Sequence, residues 1–309
     1  LTTARGIDGF KFESMTRQVI HIPTLNDRPD DFAWLFQIWK EANDNFEDIR
    51  FDFSHCNFLR PNAVAFLGGL ARLIESRSGS WEFDWPTLRR GAVLTNLCQN
   101  GFAGIFGYPS PGWNGNSIPY REDETLNMNG IMDYLTFNWI GKGWVHVSER
   151  LRDAIAGRMW EIYSNAFEHS GSAIGVFSCG QHYWRHNTLI LSVVDFGRGI
   201  PAIVRSFLSQ HVEAELVTKL SGATCLKWAF ESGNSTSVDG VARGLGLDLL
   251  KEFIRLNQGK LEVYSNNAYA IVDKDGDRYE NRNLNFEGTA VHITLRCDER
   301  LYLFRDEDG

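Results

Sequence analysis

The run Val193-Val194-Asp195-Phe196-Gly197-Arg198-Gly199-Ile200-Pro201 restricts the fold more than any other stretch of the chain. Residues 188–194 are largely apolar and of strand length, so they read as a strand inside a sheet. The strand delivers one carboxylate, Asp195, and the chain then turns on Gly197 and Gly199. A carboxylate at a buried strand end needs a partner, and glycine lets the backbone approach a flat ligand where a Cβ would stand in the way. A structural turn capped by Asp195 accounts for these nine residues equally well, so their neighbours decide between the two.

Upstream, Glu161, Asn165 and His169 follow one another at intervals of four in a long helical stretch opened by Ser148 as N-cap. All three therefore project from one face, about a turn apart. Three isolated polar residues would make only a solvated face, but Tyr163, Ala166 and Phe167 place apolar surface around them. Downstream, Gly240-Val241-Ala242-Arg243-Gly244-Leu245-Gly246-Leu247 leads directly into an amphipathic helix. Glycines opening a helix present successive N–H groups to an anion, and the helix dipole favours phosphate there. One Gly-x-Gly before a helix is weak evidence; as the third piece in order it is strong. Beside a phosphate site, the exocyclic amine of adenine is a suitable donor to Asp195.

The remaining sequence leaves room for a second unit. At 309 residues with 43% hydrophobic residues, the chain has enough apolar material for about two domains. In its first hundred residues, strand-like runs at 18–22, 49–53 and 81–85 alternate with helical patterns at 32–42, 62–74 and 93–106, an α/β arrangement. The Gly-, Pro-, Ser- and Asn-bearing segment 107–116 marks the boundary, giving domains 1–110 and 111–309. Strands are expected in the second half at 117–120, 174–178, 189–195, 260–265 and 290–296, with helices at 148–168 and 245–257. The overall class is α/β, in the α+β sense.

The formal charge of -8 with no basic run argues against nucleic acid as a partner. Cys56, Cys98, Cys179, Cys225 and Cys297 form no C-x-x-C pair and read as reduced core residues rather than a zinc site or a disulfide framework. No apolar run approaches the roughly 18 residues of a membrane span, and the first residues lack a signal-peptide pattern. A cytoplasmic location is the expectation, without membrane partners.

In order, Glu161-x-x-x-Asn165-Ala166-x-x-His169, Asp195-x-Gly197-x-Gly199, Gly244-Leu245-Gly246-Leu247 and Gly288-Thr289 resemble the N box, adenine-binding box, phosphate-binding box and late Gly-Thr element of the GHKL superfamily, which unites gyrase, heat-shock chaperones, histidine kinases and mismatch-repair proteins. The resemblance implies a Bergerat α/β sandwich, a mixed sheet with helices on one face, binding ATP with Mg²⁺ under a mobile lid. It implies that Asn165 holds the metal, that Asp195 accepts from the adenine amine with Thr289 in support, and that Gly197 and Gly199 shape the base-binding turn. Gly244, Leu245 and Gly246 would meet the phosphates, and Glu161 would be the general base for an attacking water. Residues 202–239 correspond to the lid. Within it Ser235 or Thr236 would touch the γ-phosphate; the basic residue usual after that threonine is absent, and Arg243 either replaces it or faces solvent.

The pattern of 49–53, the segment through Asn62, the helix to 74 and Leu94-x-x-Leu97-x-x-x-Gly101-Phe102-x-x-x-Phe106 resembles a STAS domain. Where anti-sigma antagonists of that family carry a phosphorylated serine, this chain has Arg60-Pro61-Asn62; proline suits a first helical turn but accepts no phosphoryl group. The implied role is sensing or docking. Elsewhere, Asp273, Asp275, Asp277 and Glu280 read as a solvated hairpin tip rather than a calcium loop, and His182 and His186 as part of a surface turn. No separate dimerisation hairpin with its own phosphorylatable histidine is evident. The favoured function is an ATP-dependent switch with slow hydrolysis, exchanging ATP for ADP and acting on a protein partner through the STAS-like half or the lid, either alone or as an oligomer. A protein serine kinase of the anti-sigma class and a scaffold with a fixed nucleotide are the alternatives.

Overall fold

The computed structural model describes residues 17–44, 48–113, 115–231, 234 and 247–307. In the first part, β1 (Gln18–His21), β2 (Asp48–Asp52) and β3 (Ser80–Asp84) form a parallel sheet in that order, with Ile20 opposite Phe51 and Phe51 opposite Phe83. Parallel neighbours require crossovers, supplied by α1 (Pro29–Asp44) and α2 (Pro61–Ser76). Asp31 fixes the start of α1 by accepting from the N–H groups of Asn26 at 3.0 Å and Arg28 at 3.1 Å. The helix expected at 93–106 is two, α3 (Gly91–Gln99) and α4 (Phe102–Ile105), because Gly101 adopts a left-handed φ of 85° between them.

The second part is an antiparallel sheet of β4 (Ser117–Asp123), β5 (Val176–Tyr183), β6 (Thr188–Asp195), β7 (Lys260–Asp273) and β8 (Gly276–Arg296), ordered β4-β5-β6-β8-β7. Its helices are α5 (Met128–Asp133), α6 (Glu149–His169), α7 (Ile200–Leu208), α8 (Ala214–Thr218), α9 (Gly222–Phe230) and α10 (Asp248–Asn257). Ser148 caps α6 as its sequence predicts, its hydroxyl accepting from Leu151 N–H at 3.1 Å. The sequence expectation stopped β7 at 265 and started β8 only at 290. Both strands instead continue as a hairpin to a turn between Asp273 and Gly276, because bulges at Ser265 and Asn266 interrupt the pairing without ending it. The α/β class holds, in its α+β form: a parallel and an antiparallel sheet in one chain.

Side-chain alternation divides the antiparallel sheet into two faces. Leu191, Val193, Leu261, Val263, Val291 and Ile293 join Ile155, Met159, Leu250 and Phe253 in a core beneath α6 and α10. On the reverse face, Phe177, Val194, Phe196, Tyr264 and Phe286 join Phe32, Phe36, Phe66 and Leu70 in a core shared with the first part. Helix α2 lies between the two sheets, which is why it is buried all round rather than along one stripe. Its residues Gly68 and Gly69 face Tyr120 and Phe196 so closely that an added Cβ would fall 2.0 and 2.3 Å from those side chains. The 107–116 connection between α4 and β4 therefore joins halves that pack on one another through a common apolar core.

Candidate functional site

A pocket opens on the front of the antiparallel sheet, enclosing roughly 930 Å³ of empty space that includes open solvent. Its floor is Val193, Asp195, Val263, Thr289 and Val291; α6, which packs over β5, supplies Ile162, Asn165, Ala166 and His169, and α7 and α9, which pack over β7, supply Ile200, Val204 and Trp228. Asn165, His169, Asp195 and Thr289, singled out from sequence motifs far apart in the chain, thus meet in one cavity.

Asp195 ends β6 directly opposite Thr289 on β8. Its carboxylate is buried at 4% exposure and accepts from Gly197 N–H at 2.9 Å. Burial pushes its pKa up to about 7, against the opposing pull of the Gly197 N–H and of the Thr289 hydroxyl and N–H. Thr289 is held in turn by Ser265, 2.9 Å away oxygen to oxygen, while the Ser265 hydroxyl donates to Gly288 C=O at 3.0 Å and accepts from Ile200 N–H at 2.7 Å. Among the described residues no lysine or arginine lines the pocket. The acid therefore stands in an apolar surround with a few neutral donors, suited to taking one more donor from a ligand.

The turn after Asp195 follows from its glycines. Gly197 lies against Ser170, where a Cβ would fall 2.4 Å from the Ser170 carbonyl oxygen. Gly199 has φ of 77°, and Asn266 fastens the turn by donating to Arg198 C=O at 3.0 Å and accepting from Ala202 N–H at 3.2 Å. These glycines bring the turn against protein backbone and side chain, a closer constraint than the ligand approach suggested by sequence alone.

Asn165 is half-buried on the pocket side of α6, and its carboxamide makes no hydrogen bond to a described residue. A free amide oxygen is a hard donor of the kind Mg²⁺ can take when substrate phosphates and water supply its other ligands. Among the described residues no group of three or more His, Cys, Asp or Glu side chains is placed to hold a metal by itself. Glu161, one helical turn before Asn165, is not part of the pocket wall; it pairs with Arg158 on its own helix. Ser235, Thr236, Arg243, Gly244, Leu245 and Gly246 lie outside the described residues.

Sequence reasoning missed Ser265, Asn266 and Trp228. The two β7 residues sit at a bulge that period-two alternation does not reveal, and Trp228 follows no motif. Of the weaker signals, the turn between Asp273 and Gly276 is the expected hairpin tip, with Asp273 paired to Arg278. His182 lies within β5 and stacks on Trp144 at 4.8 Å, and only His186 occupies the turn. No helix of the described chain is long and apolar enough to cross a membrane.

Set beside known proteins, the chain matches no family model and no curated protein.

Proposed function

We propose that this chain is a GHKL-type nucleotide-binding protein that takes Mg·ATP in the pocket between α6 and α9 and uses it as a conformational switch. The carrying observation is the buried carboxylate of Asp195, paired across the sheet with Thr289 in a largely apolar pocket whose α6 wall carries Asn165. In this reading Asp195 accepts from the adenine amine, Thr289 holds Asp195 in place, and Asn165 holds the metal, which neutralises phosphate charge. The phosphates would lie towards Leu247, the last residue of the glycine-rich segment and part of the pocket wall. Glu161 would orient water for slow hydrolysis after leaving its pairing with Arg158.

The first hundred residues, in the same reading, are a STAS-like unit that conveys the nucleotide state to a protein partner. Support comes from packing: Phe196, adjacent in sequence to Asp195, touches α2 through Gly69 and Phe66. Pro61 opens α2, and Asn62 is buried with its amide donating to Asn26 C=O at 2.9 Å, so this helix start offers no hydroxyl for phosphorylation. Titration calorimetry of the whole chain with ATP, in magnesium and in EDTA, tests the reading. Binding should require magnesium and weaken about tenfold or more in Asn165→Ala; equal affinity in both media and in the variant would contradict the assignment.

A further inference from the structure

Resting on the nucleotide reading, we infer that Trp228 is a stacking wall for the nucleobase, setting affinity for the base rather than for the phosphates. Trp228 is half-buried on α9 and lines the pocket; α9 packs over β7 and β8 and α6 over β5, so the two helices flank the strands that carry Asp195 and Thr289. Asp195 and Thr289 lie on the floor between those walls. A planar base whose edge meets Asp195 stands between them, where the indole can cover one of its faces, and aromatic faces stabilise bases of any identity. Selectivity then comes from Asp195 and affinity from Trp228.

The ring is positioned before any ligand arrives. On α7, Phe207 lies against it with ring centroids 5.9 Å apart. The backbone under it is fastened on both sides: Asn234, itself a pocket residue, donates to Trp228 C=O at 2.8 Å, and the buried Lys251 donates to Phe230 C=O at 3.0 Å while pairing with Asp277 at 3.2 Å. At the other end of α9, Ala223 N–H donates to the Asn281 side chain at 2.9 Å. A ring held this way loses little conformational entropy on binding.

The test measures adenosine and Mg·ATP separately on the whole chain by calorimetry, in wild type, Trp228→Phe and Trp228→Leu. Leucine retains an apolar wall without a π face, and phenylalanine restores the face. The expected result is that Trp228→Leu weakens both ligands by the same factor, about tenfold, and Trp228→Phe restores both to within about threefold. Weakened Mg·ATP with unchanged adenosine would overturn the inference, because the residue would then act on the phosphates. Unchanged binding of both ligands in Trp228→Leu would overturn it too, while leaving the nucleotide reading intact. A wild type that binds neither ligand would remove that reading and this inference with it.

Discussion

Gly69 on α2 lies directly against Phe196, the residue after Asp195, with room for a hydrogen but not for a Cβ, which would fall 2.3 Å from the ring. The ring is also held by Phe66, Phe177 and Phe286, so it has little freedom to move aside. This contact runs through the sheet: Asp195 faces the pocket on the front while Phe196 faces α2 on the back.

Gly69→Ala is therefore expected to destabilise the fold by about 1–3 kcal/mol, the cost of overpacking, and to weaken nucleotide binding through the displaced turn. Gly157 in the middle of α6 has nothing within 4 Å of an added Cβ, so Gly157→Ala is expected to stabilise by roughly 0.5–1 kcal/mol. Urea unfolding of both variants checks the contrast. Equal stability changes in the two would mean that the α2 contact is not tight.

The raised pKa of Asp195 has a definite sign. Its ordinary value is 3.8 and its folded value about 7, so across that interval the unfolded chain ionises while the folded protein keeps the proton. The stability Asp195 contributes is full below pH 3.8 and falls as pH rises to about 7, at up to about 1.4 kcal/mol per pH unit. Asp195→Asn should remove this slope, seen as a stability difference between variant and wild type that grows in the variant's favour from pH 4.5 to 7. A constant difference would show that Asp195 ionises freely. The ionised carboxylate is the stronger acceptor for the adenine amine of the proposed reading, so ATP affinity in the wild type is expected to rise over the same interval.

In the proposed mechanism Glu161 separates binding from chemistry. Glu161→Gln is expected to keep nucleotide affinity and to slow phosphate release by roughly 10²-fold or more, the scale of lost general-base catalysis. Because Arg158 holds Glu161 on its own helix, Arg158→Ala should leave release equal or faster. Unchanged turnover in Glu161→Gln would remove this residue from the mechanism.

Coupling across the sheet is measurable by amide exchange. A non-hydrolysable ATP analogue, compared with ADP, should slow exchange in α9 and also in α2, by no more than its differential affinity for the two states allows. Protection confined to α9 would leave the two halves uncoupled and favour a fixed nucleotide over a switch.

The sequence made the placement of Asp195, Asn165 and His169 legible because local patterns fix it. Asp195 closes an apolar run, Asn165 and His169 share a helical period, and Ser148 caps where a cap residue is expected. What it concealed was tertiary. The apolar residues of α2 read as one face, yet Ala63, Ala65 and Ala71 are equally buried because a second sheet lies on the other side. Small residues carry little periodic signal, so a helix between two sheets resembles a helix on one. The β7–β8 hairpin was hidden by asparagines and charges along 273–287, whose pairing depends on backbone hydrogen bonds rather than on apolar alternation. Trp228 was hidden because its pocket exists only after α9 folds against β7.

The central claim is that Asp195 receives the base of Mg·ATP, and calorimetry of wild type against Asp195→Asn at pH 8, where the carboxylate is ionised, tests it most directly. The substitution keeps the side chain's size and replaces an acceptor oxygen with a donor. The account predicts magnesium-dependent ATP binding in the wild type and an affinity lower by tenfold or more, about 1.4 kcal/mol, in a variant that remains folded. ATP affinity unchanged by Asp195→Asn, or a folded wild type that does not bind Mg·ATP, would contradict it.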